Sequence, residues 1–525
     1  MGKGNRNRAA ANRNPVKTVK KEKSIGVIVT AVICAVALLA TIAVAVVLKS
    51  DAYLGSKTAV DIGNKKVSAL EYRYQYWQTI QNWYTQNYYY IIYGLYNIDF
   101  SKSLSGQTCS IDKDLTWAEY FQNETLTSLK RIHSLDIDAK ANGFTLSDEA
   151  KADVDKDLEE LRAYAKENYG SLSKYLRSVY RTAEKDFLGY NDVRAYVTAY
   201  YDSLKDKYVF SQEAIQSYYD EHKTDYDDLD YRYYVFSYEP EKSASSDTET
   251  KVDEAKKAEM KTSADNMAAA VKDSEGFADY IVNNLLAEDK VEDYDRDSSL
   301  VENIKYTNVQ GAYNEDVANW LSSSERNVGD VAVFDIESKN CYLVIMFLDR
   351  SLDTYKMINV RHILIKTPTV DKIYTTEEPT EVDTDATKAA QEKSDAEKRA
   401  KAEEILAEFN SGAKTEEAFG ELANKYSEDT GSNTTGGLYE NVYKGMTYTE
   451  FNDWCFDPAR KAGDVDIVKT DVGYHIMYFV SEGEPYWSYI IGNKLQSDAI
   501  TEYVDGVVEK TPTMVHDDII AKAVK

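Results

Sequence analysis

The chain reads as an α+β protein with an N-terminal transmembrane helix, a helical domain and two related α/β modules, the first of them degenerate. Three observations carry that reading. Ile25 to Leu48 is a run of twenty-four residues without a charge, residues from about 56 to 225 show helical spacing with end caps, and the second half repeats an ordered set of motifs.

The segment "IGVIVTAVICAVALLATIAVAVVL" at 25–48 is long enough to cross a bilayer core, which takes about 20 apolar residues, whereas a signal-peptide apolar region usually has about 7–15. Upstream, residues 1–24 carry Lys3, Arg6, Arg8, Arg13, Lys17, Lys20, Lys21 and Lys23 against Glu22 alone. A basic flank stays in the cytoplasm, so the bulk of the chain is expected outside the membrane. A cleaved signal peptide is the competing reading, with Ala43-Val44-Ala45 as the cleavage site; length favours the uncleaved anchor. Cys34 sits mid-span behind Ile33, which does not fit a lipoprotein.

Residues 1–50 hold nine of the 62 Lys and Arg and one of the 89 Asp and Glu, leaving the remainder with a net charge of −35. Nucleic-acid recognition needs a basic footprint, so that class is excluded. The remaining cysteines, Cys109, Cys341 and Cys455, are widely spaced and read as buried thiols, with no disulfide framework and no metal-ligand cluster. Tyrosines number 43 against 14 phenylalanines. Such amphipathic rings suit surfaces that hold polypeptides loosely, although half-buried helix packing accounts for most of them.

From 56 to 225 the sequence predicts a short strand and a Tyr-rich helix in "TAVDIGNKKVSALEYRYQYW", then further helices. Gly143 and Gly170 stand where C-terminal caps belong, and Ser147 precedes the helical spacing of Ala150, Val154, Leu158 and Leu161. His133 and His222 lie on polar helical stretches and read as surface residues. The charge run "EDKVEDYDRDSS" reads as solvated, and "TPTVDKIYTTEEPTEVDTDATK" as a mobile loop. Residues 485–525 read as a C-terminal helix packing back on the helical domain.

The repeat pairs residues 228–352 with 356–484. Each copy runs from a first strand ("DYRYYVFSY", "NVRHILIK") through a helix to an aromatic-rich helix, then a Trp, a Gly-Asp-Val and a last strand. Trp320 precedes Arg326 by six residues and Gly329 by nine; Trp454 precedes Arg460 and Gly463 by the same steps. His362 on the first strand and His475 on the last stand in the second copy, where the first has Tyr233 and Leu343. A fold that survives without either histidine does not need them for packing, so the second copy is the candidate site and the first a scaffold.

"VRHILI", "FGELANKYSEDTGSNTTGG", "EFNDWCF" and "AGDVDIVKTDVGYHI" resemble the parvulin family of peptidyl-prolyl cis/trans isomerases over roughly 356–482. The wider layout is similar to PrsA-type extracytoplasmic foldases, and a degenerate module before a better-preserved one is similar to SurA-like chaperones. The resemblance implies two parvulin-like modules, each an antiparallel sheet flanked by helices, and a chaperone-like helical domain. It implies a catalytic set of His362, His475, Asp429 and Thr470, with Phe451 and Phe456 at and behind the proline pocket. Tyr439, Met446 and Thr447 fall at substrate-binding places. This chain has Gly437-Leu438-Tyr439-Glu440 where the family usually has Gly-Asp-Leu-Gly. It has Thr447 at the usual Met, Met446 one place earlier, and two extra residues around Asp457 to Lys461.

The resemblance and the anchor together imply a membrane-anchored extracytoplasmic foldase acting on X-Pro bonds of unfolded or partly folded exported polypeptides, without cofactor or metal. The alternatives are a non-catalytic holdase that uses the same modules for polypeptide binding and an envelope scaffold. A Ser/His/Asp hydrolase would need a nucleophile-elbow sequence, which is absent.

Overall fold

The computed structural model describes residues 50–238, 253–374 and 382–524. The expected membrane span at 25–48 lies outside the described residues, and among the described residues no helix is long and apolar enough to cross a membrane. The described strands are β1 (Thr58–Ile62), β2 (Lys65–Ser68), β3 (Asp228–Ser237), β4 (Leu300–Lys305), β5 (Val331–Ile336), β6 (Cys341–Ser351), β7 (Lys356–Lys366), β8 (Leu438–Val442), β9 (Val465–Thr470), β10 (Gly473–Pro485) and β11 (Thr513–Val515). The chain divides into two compact units, one running to Tyr208 and resuming at Asp498, the other Val209–Ser497.

The first unit is mostly helical. Ser68 and Thr116 cap its two central helices, Ala69–Gln86 and Trp117–Ala141, and Thr116 with Glu119 forms a full capping box. The helices bury Tyr72, Tyr76, Trp117 and Phe121 in a common core. His133, read from sequence as a surface residue, is instead fully buried, with Nε2 2.8 Å from Glu71 Oε1. Its helix is covered on two faces, which polar spacing alone does not reveal. The expected C-terminal helix ends at Lys510; β11 and a short helix, Asp517–Ala523, come after it. β11 pairs with β1 in a three-stranded sheet, and Tyr503 donates to Asp138 Oδ2 at 2.6 Å. The segment after the central Ala69–Gln86 helix is exposed and apolar: Tyr89 is 68%, Tyr93 75% and Leu95 65% accessible.

The second unit holds two sheets of one topology, β4-β3-β6-β5 and β8-β7-β10-β9, with every pairing antiparallel. In both, the first and last strands of the module are central. The match extends to single bonds. Gly329 N–H and Gly463 N–H donate to Phe347 O and Phe479 O, each at 2.9 Å. The shared Trp–Arg spacing seats Arg326 over Trp320 at 4.9 Å and Arg460 over Trp454 at 4.5 Å, an arrangement favoured by the ring quadrupole.

An arginine on each first strand, Arg232 buried and Arg361 half-buried, pins the segment ahead of the neighbouring edge strand. Arg232 donates to Ser274, Ser299, the Arg296 carbonyl and Asp297, so the end of the charge run expected to be solvated is anchored. Arg361 does the corresponding work toward Glu416 and the carbonyls of Thr435 and Gly436. The long helix of the second module begins at Thr384, inside the segment read as a loop, because Asp383 caps it by accepting from Ala386 N–H.

Candidate active site

β7 and β10 are adjacent central strands, and His362 pairs in register with Met477, two residues from His475. Both imidazoles lie on one sheet face and are buried, at 2% and 3% exposure. Asp429 comes after the helix Glu416–Tyr426. Its loop is fastened to β7 by Leu364 N–H donating to Ser427 Oγ at 3.1 Å and Glu428 N–H to Leu364 O at 2.8 Å. The chain then returns through Gly437, whose carbonyl accepts from His362 N–H at 2.8 Å. Gly437 has φ +70°, and a Cβ there would stand 2.2 Å from the His362 carbonyl oxygen. Only glycine permits that approach.

The side chains form one directed chain of hydrogen bonds. Asp429 Oδ2 accepts from Ser432 Oγ at 2.6 Å and from Tyr439 OH at 3.1 Å, and Oδ1 accepts from Gly431 N–H at 3.1 Å. His362 Nε2 lies 3.0 Å from Asp429 Oδ2, its Nδ1 lies 3.2 Å from His475 Nδ1, and His475 Nε2 lies 2.9 Å from Thr470 Oγ1. An ionised carboxylate can only accept, so His362 Nε2–H donates to it and His362 Nδ1 must accept from His475 Nδ1–H. His475 Nε2 then accepts from the Thr470 hydroxyl. Every ring nitrogen is satisfied with both imidazoles neutral.

The electrostatics agree with that assignment. Burial lowers the His362 pKa against the opposing pull of Asp429. Burial, followed by repulsion from His362, takes His475 down to about 3. For Asp429, burial acts upward but is outweighed by the bonds from Ser432 and Gly431, the field of His362 and the bond from Tyr439, leaving the carboxyl below its ordinary value. Tyr439 is pushed up to about 12 by burial and by Asp429.

Beside this network is a cleft of about 450 Å³ walled by His362, Tyr439, Glu440, Met446, Thr447, Tyr448, Phe451 and His475. Phe451 meets both imidazoles edge to face, at 5.5 and 5.3 Å between ring centres. The Thr447 hydroxyl is buried without a hydrogen-bond partner. Of the residues expected at the site, His362, Asp429, His475, Thr470, Phe451, Tyr439, Met446 and Thr447 come together. Phe456 does not wall the cleft: its ring lies against Tyr355 at 5.5 Å. Ser432, Tyr448 and Glu440 are additions. Ser432, three residues after Asp429 in a turn, carried a sequence signal; the other two depend on the path of β8 and the turn after it. Among the described residues no group of His, Cys, Asp and Glu is arranged to hold a metal ion.

The first module lacks the network. Its register sets Tyr233 opposite Ile345 as His362 is set opposite Met477, and places Leu343 and Ile336 where His475 and Thr470 stand. Ile336, Leu343 and Val317 close into an apolar cluster instead.

A sheet of this topology with a buried histidine pair bonded to a carboxylate defines a class. Residues 342–482 match the family of PPIC-type PPIase domains, so this part of the chain is similar to parvulin-type peptidyl-prolyl isomerases. Among particular relatives, it is 33% identical over 123 residues to "Foldase protein PrsA 3" of Bacillus cereus, covering 23% of this chain and 41% of that protein. It is 37% identical over 111 residues to "Foldase protein PrsA" of Staphylococcus aureus, covering 20% and 33%. The chain thus spans less than half the length of either curated relative. The crystal structure of PrsA from Bacillus subtilis aligns over 79% of this chain and 96% of its own, with 15% identity and a TM-score of 0.30.

Proposed function

We propose that this chain is a membrane-anchored extracytoplasmic foldase that catalyses cis/trans isomerisation of X-Pro bonds in exported polypeptides. The observation that carries the reading is the Asp429–His362–His475–Thr470 chain set against an apolar cleft in the second module, with Tyr233, Leu343 and Ile336 in the places of His362, His475 and Thr470 in the first. The anchor at 25–48, with its basic tail inside, and the four residues as the catalytic set belong to this proposal. Unfolded polypeptides are the partners it implies.

Rotation about an X-Pro bond meets a barrier near ~20 kcal/mol that comes from amide resonance. No bond breaks, so neither nucleophile nor metal is required. Phe451, Tyr448 and Met446 offer a seat for the proline ring. A twisted amide is less dipolar than a planar one, and a dry apolar wall stabilises it relative to both planar forms. The hydrogen-bond chain fixes the imidazoles at the floor of the cleft and holds Asp429 ionised beside the substrate. Thr447 supplies a hydroxyl that can bond the substrate backbone.

The test is exchange NMR on short X-Pro peptides with the full chain in detergent. Asp429→Ala and His475→Ala are expected to lower kcat/KM by about 10²-fold, the scale of a lost electrostatic contact. Folded full chain that leaves the exchange rate unchanged would instead favour a holdase. That second reading has its own support in the exposed ring cluster at Tyr88–Leu95, which contains no charge; exposed apolar patches mark interaction surfaces.

A further inference from the structure

β8 does not run regularly past β7. Ile358 pairs with Val442 and Val360 with Tyr439, so three steps on β8 face two on β7. This is a β-bulge, a device that re-aims side chains. Asn441 absorbs the extra residue with φ +56°, and its N–H is received by Asn359 Oδ1 at 2.8 Å. Asn tolerates this left-handed backbone better than most residues. In an unbroken strand Tyr439 and Glu440 would point to opposite faces; here both wall the cleft.

Glu440 is exposed and is the one charged residue of the cleft wall. Lys444, four residues further along, is engaged with Asp353. The first module has the same bulge, with Asn303 at φ +56° and Glu302 in the place of Glu440. The bulge is therefore common property of the fold. Only in the second module does it bring a carboxylate to a cleft beside the histidines, and there Tyr439 replaces Val301 as its neighbour.

We propose that Glu440 makes this cleft select prolines that have Lys or Arg directly beside them. The proposal rests on reading the cleft as the seat of an X-Pro segment. A free carboxylate at the rim favours a cation brought next to it and disfavours an anion. The net charge of −35 beyond residue 50 acts in the same direction at longer range.

The experiment uses the full chain in detergent and peptides carrying Lys, Ala or Glu immediately before or after a single proline. The kcat/KM is expected to rank Lys > Ala > Glu at one of the two positions, by about three- to fivefold per step, the range of an exposed ion pair. Glu440→Gln should collapse the Lys-to-Glu ratio toward one, and Glu440→Lys should invert it. Equal rates for all three peptides overturn the proposal. So does a Lys preference that survives in Glu440→Gln and disappears only with salt, which would assign it to the general field. If no peptide is isomerised the catalytic reading fails, and binding affinities for the same peptides decide the charge preference by the same ratios.

Discussion

His475 shows most directly how one side chain couples the site to stability. Its folded pKa of about 3 lies far below the ordinary histidine value of 6.5, first because it is buried and then because His362 is adjacent. Below pH 6.5 the unfolded chain takes up a proton that the folded site refuses. The stability contributed is therefore complete above 6.5 and is lost progressively as pH falls toward 3, at up to about 1.4 kcal/mol per pH unit for one proton. His362 is shifted in the same direction and adds to the slope. His475→Gln is expected to make this decline shallower by about one proton. The measurement is hydrogen exchange of β10 amides from pH 7 to 5, corrected for intrinsic rates. A decline of unchanged slope in the variant would mean that His475 is protonated in the folded site. The same side chain illustrates legibility: that His362 and His475 are not packing residues was readable from Tyr233 and Leu343 of the other copy, and the strand register gives those same correspondences. His133 was misread because helical spacing does not say how many neighbours a helix has.

At the level of elements, the loop from Asp429 to Gly437 decides whether the site assembles. Its return passes against β7 so closely that a methyl group at Gly437 would meet the His362 carbonyl. Gly437→Ala combines a left-handed backbone cost with this overlap, about 2–5 kcal/mol together. The expected outcome is loss of the Gly437–His362 bond and of β8 pairing, seen as faster exchange at His362 N–H, with the β7–β10 pairing retained. Ordinary protection at His362 N–H would show that the loop can move aside. Gly437 stood in the sequence as part of a motif, but its closeness to the histidine backbone was not legible there. Nor was the bulge at Glu440–Asn441, because register is a relation between strands far apart in sequence. Phe456 stands off the cleft wall, packed on the cluster around Phe451 with its ring against Tyr355.

Over the whole molecule, the first unit is closed by residues that come last in the chain. β11 pairs with β1, His516 Nε2 lies 2.7 Å from Asp61 Oδ2, and Ile520 and Ala523 join the core around Trp117. Deleting residues 512–525 opens one edge of the three-stranded sheet and removes the burial of Ile520, worth about 1.5–3 kcal/mol by itself. The expected result is rapid exchange of β1 amides and early proteolysis before Tyr208, with β7 and β10 keeping their protection. Protection of β1 unchanged by the deletion would show that the C-terminal strand is dispensable.

The sequence by itself determined that the second half is a duplicated module, and that one copy alone carries the histidines, Asp429 and Thr470. Those are properties of residue identity and spacing, which survive without coordinates. Only the tertiary structure decided which side chains share the cleft. Glu440 enters it because a β-bulge, fixed by pairing across β7, re-aims its side chain, Tyr448 enters it from the turn after β8, and Ser432 joins the hydrogen-bond network beside it.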